Sequence, residues 1–76
     1  MEKAAEWTRQ IRQAELDGAK IAMFHYIVLS NAEQLQHENP KQFTLAVGMK
    51  ESFHTEFSKM IALAKLMGAL GVKLAK

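Results

Sequence analysis

The chain has no cysteine, which excludes disulfides, thiolate zinc sites, iron–sulfur sites and a thiol nucleophile. At 76 residues it buries only about 60% of the surface its unfolded form exposes, so reinforcement has to come from tight helical packing or from a partner. Long hydrophobic runs are also missing. The richest apolar stretch, Ile21 to Leu29, is interrupted by His25 and falls well short of the roughly 20 residues of a membrane span. The opening MEKAAEWTRQ mixes both charges with no apolar stretch behind a positive cap, so no secretory signal is expected, and a cytoplasmic setting without membrane contact is the default. There is no Gly-rich phosphate loop and no serine in a Gly-x-Ser-x-Gly elbow, and a helical chain this small has little room for an enclosed pocket. No catalytic residue and no cofactor is expected, and the chain is read as a non-enzyme.

What is present points to a folded helical protein. Hydrophobic residues make up 49% and charged residues 24%, a globular balance rather than a disordered one. Ala, Leu, Lys, Glu and Gln dominate over β-branched residues, which favours helix over strand. The net charge of +2 hides an asymmetry. In residues 1–39 Lys3, Arg9, Arg12 and Lys20 face Glu2, Glu6, Glu15, Asp17, Glu33 and Glu38. In residues 40–76 Lys41, Lys50, Lys59, Lys65, Lys73 and Lys76 face only Glu51 and Glu56. The second half is basic, as a solvated helix surface or a nucleic-acid face would be.

The sole proline marks the best local signal. In Asn39-Pro40-Lys41-Gln42, Asn39 suits the N-cap, Pro40 the first helical position, and Gln42 the far end of a capping box. A helix is therefore expected to start near residue 40. Upstream, Trp7, Ile11, Ala14, Gly18, Ile21, His25, Val28, Ala32 and Leu35 recur at alternating spacings of four and three, a coiled-coil-type seam. Because the seam holds phase through Asp17-Gly18, one long helix over about 3–36 is expected, with a split at Gly18 as the alternative. A loop at about 37–39 would lead to a helical segment at about 40–67. There Phe43, Ala46, Phe53, Phe57, Met60, Ala64 and Met67 form the apolar face and Lys50 is its misfit. Either this second helix is continuous, or a short helix from Pro40 to Val47 turns at Gly48 to Lys50 into a long helix from about Glu51 or Ser52. Residues 68–76, loosened by Gly68 and Gly71, form the tail.

The segment Phe43-Thr44-Leu45-Ala46-Val47-Gly48-Met49-Lys50-Glu51-Ser52-Phe53-His54-Thr55-Glu56-Phe57-Ser58-Lys59-Met60-Ile61 resembles a helix-turn-helix unit. Glycine makes the turn, apolar residues pack the two helices, and the second helix offers a polar face to the major groove. Its flavour is similar to that of AraC-type regulators, with Thr44 standing where that family has a small alanine and the first aromatic following Gly48 two residues sooner. The resemblance implies duplex DNA as partner, with Lys50, Ser52, Thr55 and Lys59 as contacts and Lys41 and Lys65 on phosphate.

Other groupings carry less. Glu51 and His54 form a Glu-x-x-His step, similar to a ligand motif of ferritin-like di-iron proteins. The facing carboxylates are missing, however, since a hairpin would set His25, flanked by Ala22, Phe24 and Leu29, opposite that step. No metal site is assigned, His25 is read as a core or interface histidine, and His37 as a solvated one. The reading is thus a single all-α domain: a long N-terminal helix and a C-terminal helix-turn-helix or hairpin arm, paired into a homodimer through the first helix. The function expected is that of a small DNA-binding transcriptional or plasmid/phage-type regulator. The rival is a helical-bundle adaptor that binds another protein, similar in architecture to hairpin dimers of the Rop type.

Overall fold

The structure, a computed structural model, describes residues 3–72. Within that range there is no strand. Helices α1 (Ala4–Leu16), α2 (Lys20–Ser30), α3 (Ala32–Leu35) and α4 (Pro40–Ala46) are followed by a 3-10 turn (Glu51–Phe53) that leads directly into α5 (His54–Ala69).

The long first helix expected over 3–36 is not formed. Gly18 lies at φ 72°, in the left-handed region that costs a side-chain-bearing residue roughly 1–2 kcal/mol. The amide of Ala19 donates to the Ala14 carbonyl at 2.8 Å, and that of Gly18 to Glu15 at 3.1 Å. This pair of bonds satisfies carbonyls that a helix end otherwise leaves open. The seam keeps its period across the turn, but only part of it is core. Trp7, Ile11 and Ala14 are buried on α1 and Phe24, Ile27 and Val28 on α2, while Ile21 is 47% exposed. A second break follows at Ser30-Asn31, where the Ser30 hydroxyl donates to the Tyr26 carbonyl at 2.7 Å and the Asn31 amide to Ile27 at 2.9 Å. These short polar side chains bond back onto their own helix, the competition that disfavours them in helix interiors.

The start of α4 is as read from the sequence. The Asn39 side chain accepts from the amides of Lys41 and Gln42 at 3.0 and 3.1 Å, and Pro40 takes the first turn. α4 then ends as α1 does. Gly48 sits at φ 81°, and the amides of Met49 and Gly48 donate to the carbonyls of Thr44 and Leu45, each at 3.0 Å. Of the two arrangements open for residues 40–67, the structure adopts the short helix, turn and long helix. That last helix runs through Gly68 to Ala69, two residues past the expected end; the tail beyond Val72 lies outside the described residues.

The core is organised around Phe43, which is fully buried. Its ring meets Trp7 of α1 at 5.7 Å, Phe24 of α2 at 6.2 Å and Phe57 of α5 at 5.0 Å, separations typical of attractive aromatic pairs. Phe53 joins from the 3-10 turn, 6.3 Å from Phe24. One residue of α4 thereby ties three other helices together.

Candidate nucleic-acid interface

The unit that could meet a nucleic acid is α4, the Gly48 turn and α5. Its inner surface is held by Phe43 against Phe57, by the buried Val47 and Met49 on either side of Gly48, and by Thr44. Thr44 is fully buried, and its hydroxyl donates to the Pro40 carbonyl at 2.7 Å. That bond lets a polar residue occupy the position between α4 and its neighbours without an unpaired hydroxyl.

The outer surface carries the residues singled out from the sequence. Lys41, Lys50, Ser52, Thr55, Lys59 and Lys65 are all exposed. Lys50 stands at the start of the 3-10 turn, and Ser52 and Thr55 are linked by a 3.2 Å bond from the Thr55 hydroxyl to the Ser52 carbonyl. Thr55 and Lys59, four residues apart on α5, share one face. Lys65, six residues beyond Lys59, lies nearly two turns along and well round the cylinder from it. The structure therefore gathers Lys50, Ser52, Thr55 and Lys59 about the start of α5, with Lys41 beside them through an ion pair to Glu51 at 3.7 Å.

Charge at this surface is partly committed. Glu56 holds Lys59 at 3.1 Å with one oxygen and His25 Nε2 at 3.1 Å with the other. A carboxylate only accepts, so Nε2 carries the proton. The hydrogen bond from Lys59, followed by that from His25, lowers the Glu56 pKa below its ordinary value, against a smaller opposing effect of burial. This bond clamps α2 to α5. It also answers what faces His25, whose carboxylate partner is Glu56 and not the Glu51–His54 step. Among the described residues no three His, Asp or Glu side chains gather as a metal site would require.

The model of the HTH-like domain family matches residues 2–69. The chain belongs to that family. The match extends far beyond residues 43–61 and takes in α1 and α2 as well as the turn, so the HTH-like domain is the whole described bundle, with Trp7 and Phe24 as much a part of it as Gly48. No curated protein and no solved structure matches the chain. No helix of this HTH-like domain, among the described residues, is long and apolar enough to cross a membrane.

Sequence reasoning missed two features of the domain. One is the α2–α5 clamp, since His25 and Glu56 are separated by 31 positions and neither stands in a motif with the other. The other is the seating of α1 against the turn, where the Thr8 hydroxyl reaches the Ala46 carbonyl at 3.3 Å.

Proposed function

We propose that this HTH-like domain is a small, non-catalytic DNA-binding protein, a cytoplasmic regulator that lays the start of α5 in the major groove of duplex DNA. The observation that supports this reading is the surface formed by Lys50, Ser52, Thr55 and Lys59. These exposed side chains lie on the 3-10 turn (Lys50, Ser52) and the first turns of α5 (Thr55, Lys59), while Phe57 anchors the opposite side of α5 to Phe43. Ser52, Thr55 and Lys59 would face base edges and Lys50, Lys41 and Lys65 the phosphates, the division of labour usual at such interfaces. The mechanism needs no cofactor, because affinity comes from displaced counterions and specificity from the few side chains that reach the groove.

A homodimer belongs to the same proposal, since paired domains would read two half-sites a helical turn apart. α1 offers little contact area, because Trp7, Ile11 and Ala14 are buried inside the chain and Leu16 alone of its large apolar residues is exposed, at 81%. Leu63 and Leu66 on α5 and Leu70 at its C-terminal cap are 39%, 54% and 70% exposed and recur at helical spacing; that stripe is the contact we propose.

The test is fluorescence anisotropy with a labelled random-sequence duplex, titrated from about 50 to 200 mM salt, across which a protein touching several phosphates loses affinity steeply. Micromolar binding with a steep slope supports the reading. Absence of binding at low salt overturns it and favours an adaptor that uses the α5 stripe to hold another protein.

A further inference from the structure

Three lysines of the chain are neutralised locally: Lys20 by Glu15 at 2.9 Å, Lys41 by Glu51 at 3.7 Å and Lys59 by Glu56 at 3.1 Å. The chain's only two arginines, Arg9 and Arg12, are both exposed on α1 and form no ion pair among the described residues. The carboxylates nearest them on the helix are engaged elsewhere, Glu15 by Lys20 and Glu6 by the Gln10 amide at 3.5 Å. Lys50 is likewise exposed and without an ion pair within the described residues.

Thr8 marks where this stretch of α1 meets the turn. Its hydroxyl donates to the Ala4 carbonyl at 2.7 Å and approaches the Ala46 carbonyl at 3.3 Å, and its methyl is 3.6 Å from where a Cβ on Gly48 would stand. α1 is therefore seated against the end of α4 and the turn itself. Arg12 follows Thr8 by four residues on the same side of the helix, and Arg9 comes next around the cylinder, while Trp7, Ile11 and Ala14 take the core side. Arg12 thus shares the side of α1 that Thr8 seats against the turn, with Arg9 further round towards solvent.

We infer that Arg9 and Arg12 of α1, together with Lys50, form a second backbone-gripping edge beside the Gly48 turn, which binds phosphates of the duplex flanking the groove that α5 enters. This rests on the DNA-binding reading above. Guanidinium suits the role because its planar fork pairs with phosphate in bidentate fashion, whereas an ammonium acts as a point charge. The edge turns a single inserted helix into a two-sided hold that fixes its register on the DNA.

The experiment compares the wild-type chain with R9Q/R12Q, R9K/R12K and K41Q/K65Q in the same anisotropy titration, with circular-dichroism melts as the control for folding. R9Q/R12Q is expected to weaken binding and to reduce the slope of log K against log salt by roughly 1.8, about 0.9 for each phosphate that is no longer neutralised. R9K/R12K, which keeps the charge, is expected to retain most of the slope. Should the double variant melt early, R9Q and R12Q singly are each expected to lower the slope by about 0.9. A wild-type slope in R9Q/R12Q alongside a reduced slope in K41Q/K65Q overturns the α1 edge and leaves the α5 reading standing. Failure of the wild-type chain to bind any duplex overturns both.

Discussion

Gly48 holds the turn between α4 and α5 at φ 81°, and a Cβ there would meet only the Thr8 methyl at an ordinary 3.6 Å. The cost of Gly48→Ala is then conformational and not steric, roughly 1–2 kcal/mol, and the melting midpoint is expected to fall by at least about 4 °C in a domain of this size. Gly68 makes the contrast. It lies inside α5, with nothing within 4 Å of an added Cβ and no positive φ, so Gly68→Ala is expected to raise stability by about 0.5–1 kcal/mol. Urea denaturation of the two variants checks both signs, and a more stable Gly48→Ala chain would mean that α4 and α5 join into one helix. Glu56 supports a second prediction at this scale. Its folded pKa is lowered by Lys59 and then His25, so the stabilisation it contributes is present above the ordinary carboxylate range and is lost as pH falls through the lowered folded value. Glu56→Gln is therefore expected to flatten the decline of stability on acidification below that range, measured by melts across a pH series. The asparagine cap, and the option of a turn at Gly18 or Gly48, could be named from residue type alone, because capping is a local property of a few backbone groups. The Glu56–His25 bond could not, because nothing local links α5 to α2.

α5 changes character along its exposed side. Its first turns present Thr55, Ser58 and Lys59 outward, and its later turns present Leu63, Leu66 and Leu70. Polar groups thus surround the end proposed for DNA, and apolar ones the end proposed for a partner. If the first half lies in a groove, Lys50→Gln is expected to lower the salt slope by about 0.9 and to weaken binding about equally on unrelated sequences. Thr55→Ala, by contrast, is expected to alter sequence preference once an operator is known. Competition titrations against several duplexes separate the two behaviours. The existence and period of the elements are readable from the apolar spacing, yet the spacing places Gly18 inside one long helix. A heptad seam records only that successive apolar residues share a direction, and two helices packed on one core through a tight glycine turn can keep that direction almost in phase.

A chain this small leaves much of α5's outer face uncovered, and the pairing proposed for it is testable at the level of assembly. Sedimentation equilibrium is expected to find a dimer at micromolar concentration, and L66E/L70E, which places charge in the stripe, is expected to give a monomer whose DNA binding is weaker and non-cooperative. A wild-type monomer would remove the dimer from the proposal and leave the domain as a single reader. Residues 21–29 are apolar around most of a helix's circumference and need cover on more than one side, which is why sequence points to the first helix as the contact. In the folded chain Phe43 covers Phe24 of that segment from within and Phe57 packs on Phe43, while Ile21 and Tyr26 stay 47% and 45% exposed. Residue order alone is enough for an all-helical chain, the start of α4 at Asn39-Pro40, the option of a turn at Gly48 and the basic character of the second half, since each depends on backbone preference or charge carried by neighbouring residues. Three features had to wait for the packed chain: that α1 ends at Gly18, that Thr8 seats α1 on the turn beside Arg9 and Arg12, and that Glu56 is shared by His25 and Lys59. These depend on which distant side chains are brought together when one aromatic core closes.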